Sequence, residues 1–244
     1  TVGDQFTHQT RMIIKDSGRV GIGTTNPSEN LHISDTASNQ PKIRIEQSDG
    51  GSKRLDLYVD SSSVGTIASD QSSQQLAFRT SNSERMRIDS SGHITKPFQP
   101  AVHAYLNTTQ SNISTGQVTV QLNAEIYDVN SDFNTSNYTF TAPVTGKYLV
   151  TMNLVMTSVD TAFQWIYLLG VSSNRNYYLD QIDPRIEMVA DGVHTWSGSS
   201  LVDMDANDTF MMRTRSSAHG AAQMDIAGGT ANSTETSMTI TLLS

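Results

Sequence analysis

The stretch NYTFTAPVTGKYLVTMNLVM, residues 137–156, shows the pattern that most of the chain follows. Apolar and polar residues alternate on both sides of Pro143 and Gly146, and these two residues predict a tight turn between two strands. The same period of two recurs in residues 117–123, 163–169, 201–205, 209–215 and 237–243. Alternating segments at this spacing, with no helical period among them, predict an all-β domain of the β-sandwich or jelly-roll type over residues 98–244.

Residues 1–97 are poorer in apolar residues and rich in Ser, Gln, Asn and Gly. Their apolar residues still alternate with polar neighbours, which predicts short strands with one apolar face. The residues concerned are Leu31 and Ile33, Ile43 and Ile45, Leu55, Leu57 and Val59, Leu76 and Phe78, and Met86 and Ile88. So few apolar side chains cannot offset the entropy lost when one copy of the segment becomes ordered. We therefore expect several chains to associate and bury these side chains together around a shared axis.

The composition excludes several classes of partner. The net charge of −8 argues against nucleic acid, because binding to a phosphate backbone requires clustered Lys and Arg. The longest apolar runs, such as residues 165–170, are far shorter than the roughly 20 residues of a bilayer span, so we expect no membrane insertion. Without cysteine there is neither a disulfide framework nor a thiolate metal site, and no motif calls for a cofactor.

A segment near the start of the chain returns in part further along. RMIIKDSGRVGIGTTNP, residues 11–27, is partly repeated as RMRIDSSGHITKP, residues 85–97. Its glycines raise the question of a phosphate-binding loop, which requires a following helix whose N-terminal amides hold the phosphate. Pro27 and the resumed alternation at Leu31 and Ile33 are incompatible with that helix. The repeated segment is therefore predicted to be a strand, a Ser-Gly turn and a second strand.

The second part of the chain carries a family resemblance. NAEIYDVNSDFNTSNYTFTAPVTGKYLVTMNL, residues 123–154, resembles the signature of the complement-type globular heads, which share the tumour necrosis factor jelly roll. Residues 100–107, 201–215 and 237–244 resemble the opening, late and closing strands of that family, with Asn207-Asp208 where a Gly-Asp turn is usual. The resemblance implies a jelly roll that associates as a compact trimer.

The repeated segment resembles the shaft modules of bacteriophage tail fibres, which are homotrimeric, interleaved and β-rich. Together the two resemblances imply an intertwined trimeric shaft over residues 1–97 and a jelly-roll head over residues 98–244. The leading hypothesis is a non-enzymatic tail fibre, extracellular on the virion, attached to upstream fibre or baseplate proteins. Its trimeric head would bind host-cell surface polysaccharide or lipopolysaccharide. Two alternatives stay open: a fibre that also hydrolyses such polysaccharide, and a secreted bacterial adhesin.

Two sets of residues are candidate sites. Aromatic rings beside hydrogen-bonding groups can stack on sugars, which makes Trp196, Tyr177, Tyr178 and the neighbouring Arg175 candidates for receptor contact, although alternate rings could instead be core residues. Residues 203–208, DMDAND, place acids at alternate positions but lack the glycine and the final glutamate of an EF-hand. Another type of calcium site at Asp203, Asp205 and Asp208 stays possible, beside the simpler interpretation of a solvated turn.

Overall fold

A computed structural model describes residues 12–34, 41–47, 53–60, 62–69, 73–187 and 192–244. The chain divides into two compact units, Thr1–Lys96 and Pro97–Ser244. Within the described residues both units are built from β-strands, and the one α-helix is the short α1, Pro184–Glu187. None of the helical structure in those ranges is long and apolar enough to cross a membrane. The predicted all-β fold class is confirmed.

In its described segments, the first unit contains three separate three-stranded sheets. The strands are β1 (Met12–Ile14), β2 (Val20–Ile22) and β3 (Leu31–Ile33); β4 (Lys42–Gln47), β5 (Lys53–Val59) and β6 (Gly65–Ala68); and β7 (Leu76–Thr80), β8 (Ser83–Ile88) and β9 (Ile94–Thr95). All pairs are antiparallel except β2 with β3. Each alternating pair or triplet that the sequence predicted as a strand lies in one of these elements.

The two copies of the repeated segment fold alike. Each forms an antiparallel hairpin, β1–β2 and β8–β9, around a loop with glycine in the left-handed region, at φ +79° for Gly18 and +87° for Gly92. The Gly18 amide donates to the Lys15 carbonyl at 2.8 Å, and the Gly92 amide donates to the Asp89 carbonyl at 3.1 Å. The predicted strand, Ser-Gly turn and strand are therefore confirmed in both places.

A third loop of the same kind joins β5 and β6, where the sequence showed no repeat. The Ser63 amide donates to the Asp60 carbonyl at 3.0 Å, and Ser63 occupies the glycine position at φ +64°. Asp60 Oδ1 accepts hydrogen bonds from the amides of Ser62 and Val64, as Asp89 Oδ1 does in its own loop. This copy is hidden in the sequence because serine replaces the glycine that marks the other two.

The described part of the first unit has almost no core. Among its described Ala, Val, Leu, Ile, Met, Phe and Tyr side chains, only that of Ala68 is buried. Large apolar side chains on its strands and loops are instead exposed: Met12, Ile14, Ile22, Leu31, Ile43, Ile45, Leu57, Val59, Val64, Ile67, Phe78 and Ile94. Single copies of these sheets therefore leave most of their apolar surface in contact with water.

The described residues of the second unit, 97–187 and 192–244, form two sheets. Sheet I consists of β10 (Ala101–Tyr105), β11 (Gln110–Ile113), β13 (Ala124–Asp128), β16 (Gly146–Val159), β19 (Gly192–Met204), β21 (Met224–Ile226) and β22 (Ser237–Leu242). Sheet II consists of β12 (Gly116–Thr119), β14 (Phe133–Asn134), β15 (Thr139–Thr141), β17 (Phe163–Ser172), β18 (Asn176–Ile182) and β20 (Thr209–Ala218).

Four antiparallel pairings in this unit are nested within one another along the chain. The outermost joins β10 to β22, the next joins β15 to β20, then β16 pairs with β19, and the innermost is the hairpin β17–β18. Successive pairings fall in alternate sheets, as expected when one long ribbon folds over and rolls into a sandwich. The second unit is a jelly roll.

The core of the jelly roll lies between its two sheets. Tyr148 and Val150 of sheet I and Leu168 and Phe210 of sheet II are fully buried there, in accord with the alternation along each strand. The turn predicted at Pro143 and Gly146 differs from a hairpin, because β15 belongs to sheet II and β16 to sheet I. The chain crosses between sheets at this point, and the Tyr148 hydroxyl donates to the Val144 carbonyl at 2.6 Å within the crossing.

Candidate functional site

Trp196 lies in the core of the jelly roll. Its side chain is only 4% exposed and lies across from Leu154 of the neighbouring strand, with the His194 ring 5.2 Å away. The flanking Thr195 and Ser197 are the exposed residues of this part of β19. Strand alternation thus turns the indole inward, and Trp196 cannot present a ring to a ligand in this fold.

The tyrosines of the predicted receptor site point to opposite faces of β18. Tyr177 packs against the core, with its ring centroid 6.2 Å from that of Phe210, whereas Tyr178 is 48% exposed on the outer face of sheet II. Arg175 is exposed in the connection between β17 and β18, and its carbonyl accepts a hydrogen bond from the Ser172 amide. Of the four predicted residues, only Tyr178 lies in the groove described next.

A shallow groove on the outer face of sheet II is lined by Trp165, Tyr167, Tyr178 and Arg215. The ring centroids of Trp165 and Tyr167 are 5.0 Å apart, and those of Tyr167 and Tyr178 are 5.2 Å apart in an edge-to-face arrangement. The cavity measures about 350 Å³. This volume is within the range of roughly 300–1,000 Å³ that is usual for small-ligand sites. We call these four residues the aromatic groove.

Arg215 forms one end of the aromatic groove. Its Nη1 donates to the Tyr178 hydroxyl at 3.0 Å, and its guanidinium carbon lies 5.9 Å from the centre of the Trp165 ring. Within the described residues no carboxylate forms an ion pair with Arg215. By contrast, Arg44, Arg87 and Arg185 each pair with an acid. Among the described residues, the positive charge of Arg215 therefore has no negative partner.

Three strands of sheet II bring the groove together. Trp165 and Tyr167 alternate with the buried Ile166 on β17, so both rings point outward. Tyr167 lies directly opposite Arg215 on β20, and β18 adds Tyr178 from the other side. Sequence reasoning interpreted residues 163–169 only as a strand and missed Trp165, Tyr167 and Arg215. Strand alternation predicts that Trp165 and Tyr167 share a face of β17, but only the burial of Ile166 in the structure shows that this face points to solvent.

The acids at 203–208 do not form the ligand set that the sequence suggested. Asp203 pairs with Lys147 at 2.6 Å, and that ammonium lowers the pKa of the Asp203 carboxyl. Asp208 Oδ2 accepts hydrogen bonds from the Asp205 amide and the Asn174 side chain. Throughout the described ranges, no three His, Asp or Glu side chains are grouped so that they could hold a metal ion. Residues 205–208 form a turn closed by its own carboxylate.

A second polar cavity, of about 500 Å³, lies beside the loop that follows β13. Burial raises the pKa of Asp132 in this loop, which is a feature that catalytic acids share. Asp128 accepts hydrogen bonds from the amides of Asp132 and Phe133, at 3.0 and 2.8 Å. The Asp128 carboxylate therefore holds the loop in place, which is a structural role.

Comparisons with known proteins add likenesses of fold. No protein-family model and no curated protein matches the chain. Among solved structures, the chain is similar to the globular domain of zebrafish complement 1qA protein, with 15% identity, 60% of this chain and 98% of that one covered, and a TM-score of 0.41. It is also similar to murine APRIL at pH 8.5 (10% identity, 59% and 99% covered, TM-score 0.41) and to Eiger TNF from S. frugiperda (12%, 60% and 93%, TM-score 0.41). The nested strand pairing, rather than these low overall scores, defines the jelly roll.

Proposed function

We propose that the protein is a non-catalytic, homotrimeric receptor-binding fibre that attaches a bacteriophage virion to polysaccharide or lipopolysaccharide on its host. The first unit would be the intertwined shaft and the jelly roll the receptor-binding head. The proposal rests on the exposed apolar surface of the first unit. Ala68 has the only buried side chain among the described Ala, Val, Leu, Ile, Met, Phe and Tyr residues of that unit. The tail-fibre resemblance of residues 11–27 and 85–97 supplies the biological setting.

The energetics of the first unit favour association. Ordering each residue costs about 1–2 kcal/mol of backbone entropy, whereas fully burying one large apolar side chain contributes about 1.5–3 kcal/mol. Ile45 is 65% exposed and Ile14 is 66% exposed, so a single copy realises little of that gain. Leu31, Ile33 and Ile67 line an open groove of about 500 Å³ that a second chain could fill. Burial between chains would supply the missing stabilisation.

The jelly roll also has an apolar outer surface. Leu149 and Leu201 lie directly opposite each other on β16 and β19, exposed by 41% and 55% on the outer face of sheet I. Tyr127 is 45% exposed on β13 of the same sheet. The complement-type heads that residues 123–154 resemble associate as trimers, and this face of sheet I is the surface we assign to the same contact.

The solution mass tests the assembly. We expect light scattering to give about three times the 26.6 kDa of one chain. Ile45→Glu should lower that mass, because it places a charge on the surface that copies of the shaft would share. Ile186→Glu is the matched control: Ile186 is 80% exposed on α1, outside both proposed contacts, and the exchange should leave the mass unchanged. A wild-type mass near that of the monomer contradicts the proposal.

Binding to host cells tests attachment. A trimer can turn weak single-site affinity into firm adhesion, since the second and third contacts become intramolecular. We expect the intact protein to bind host cells and the Ile45→Glu variant to bind them less. Release of reducing ends from purified host polysaccharide would instead favour the hydrolytic alternative.

A further inference from the structure

We propose that the aromatic groove binds a sugar ring that carries a carboxylate, that is, a uronic acid residue of an acidic polysaccharide. The inference rests on the proposed function and specifies where on the jelly roll, and to what chemical class, the receptor binds. It depends on Trp165, Tyr167, Tyr178 and Arg215 alone, and it differs from the sequence-based site, of which it keeps only Tyr178.

The three rings offer a surface that suits a sugar. Centroid separations of 5.0 and 5.2 Å form a continuous bent wall in which neighbouring rings are tilted by 55° and 73°. The C–H face of a pyranose is apolar, and aromatic rings with a polar edge pack against such faces while their hydroxyl or indole groups hydrogen-bond. Tyr178 is 48% exposed, so its ring is open to a ligand without any rearrangement.

Arg215 supplies the preference for a negative charge. Its Nη1 is held by the Tyr178 hydroxyl, which fixes the guanidinium at the mouth of the groove. Guanidinium groups bind carboxylates through two parallel hydrogen bonds, and no described acid takes that place on Arg215. A carboxylate at C5 of a stacked sugar projects from the ring edge, where such a partner is needed.

The surroundings reinforce this preference. Arg213 lies two residues before Arg215 on the same strand, and its Nη2 and Nε lie 2.9 and 3.1 Å from the Met211 sulfur. A second positive charge therefore lies on the outer face of β20. Asp180 on β18 is an exposed negative charge on a neighbouring strand; its Oδ1 accepts a hydrogen bond from the Gln181 amide, and no described ion pair joins it to Arg215. The net charge of −8 is spread over the whole chain, and solvent-exposed charges are screened beyond about 8 Å at physiological salt. Acidic residues further than this from the groove therefore oppose an acidic ligand only weakly.

The test uses the full chain, a tetragalacturonate as the acidic probe and a neutral galactose tetramer as its counterpart. Saturation-transfer NMR titrations should show binding of tetragalacturonate and at least tenfold weaker binding of the neutral tetramer. Arg215→Gln should weaken binding of the acidic probe by about 10- to 100-fold, because a charge-assisted pair is lost. Trp165→Ala should weaken binding of both probes, because it removes the ring face on which a sugar would stack.

Arg185→Gln is the matched control, since Arg185 is exposed on α1 of the same unit and does not line the groove, and it should bind as the wild type does. Unchanged solution mass and melting temperature check that each variant folds. Tyr178→Phe removes only the hydroxyl that positions Arg215, so it should weaken binding of the acidic probe alone. Equal binding of both probes, no binding of tetragalacturonate, or wild-type binding by Arg215→Gln overturns the inference. A trimer that binds cells but not uronates refutes this assignment alone, whereas a monomer refutes the proposed fibre.

Discussion

Replacing Gly170 with alanine should destabilise the jelly roll through a single contact. Gly170 lies on β17, opposite Met212 of β20, and is buried. A Cβ at this position would meet the ring of Phe210, with Cε2 and Cε1 at 2.9 and 3.1 Å and Cζ closer still. Phe210 is fully buried, so its ring cannot move out into solvent.

The expected magnitude combines two opposing terms. Overpacking a well-filled core costs about 1–3 kcal/mol. Alanine in a strand interior regains roughly 0.5–1 kcal/mol relative to glycine, because less backbone entropy is lost on folding. Because the new Cβ would lie far inside van der Waals distance of Phe210 Cζ, the overpacking cost falls in the upper part of its range, about 2–3 kcal/mol. We therefore expect Gly170→Ala to lower the free energy of unfolding by about 1–2.5 kcal/mol. Phe210→Leu removes the ring edge that the new methyl meets, so the double variant should be more stable than the sum of the two single effects predicts.

Urea unfolding followed by tryptophan fluorescence measures this effect in the intact chain. Both tryptophans, Trp165 and Trp196, lie in the jelly roll, so the signal reports the unit that carries the substitution. Protein concentration is kept constant because an oligomer's stability depends on it. Ser199→Ala is the control, since Ser199 is exposed on β19 of the same unit and the exchange adds no atom to the core. A neutral or stabilising Gly170→Ala, or strict additivity with Phe210→Leu, would refute the reasoning.

Two further predictions concern the first unit. Ser63→Gly should stabilise its loop by up to about 1 kcal/mol and Gly92→Ala should destabilise the equivalent loop by a similar amount, because both positions have positive φ and only glycine is unstrained there; thermal melts followed by far-UV circular dichroism measure both. The Arg44 guanidinium, with a contribution from Lys42, lowers the pKa of Asp56 from 3.8 to about 2. The stabilisation that ionised Asp56 contributes is therefore present above pH 3.8 and is lost as the pH falls through 2. The difference in melting temperature between wild type and Asp56→Asn should be constant well above pH 4, shrink as the pH falls from about 4, and disappear below pH 2.

Strand positions could be predicted from the sequence because alternation is a local property. Leu55, Leu57 and Val59 lie in β5, and the two glycine loops form the predicted hairpins. The third loop was not predicted because Ser63 has a positive φ, which is uncommon for serine and is not indicated by the residue type. The length of β19 was not predicted either, because the alternation at residues 201–205 covers only the end of a strand that begins at Gly192.

The face to which a ring points could not be predicted for β18 and β19 without knowing which side is the core. Trp196 and Tyr178 stand in similar polar surroundings in the sequence, yet one is 4% exposed and the other 48%. Alternation shows that neighbours face opposite ways, but the sign is decided by the sheet against which the strand packs. Of the two interpretations left open for residues 203–208, the structure shows the turn, and the sequence could not reveal that Asp203 pairs with Lys147 across the β16–β19 pairing.

The sequence by itself determined that the chain is built of short strands, that its first part is too poor in apolar residues for a core of its own, and where two of its hairpins turn. These properties follow from period-two patterning, composition and turn residues within a few positions of one another. Only the tertiary structure decided that Trp165, Tyr167, Tyr178 and Arg215 meet in one groove. They lie on β17, β18 and β20, and the register that aligns them depends on long-range pairing of a rolled ribbon, which no local pattern specifies.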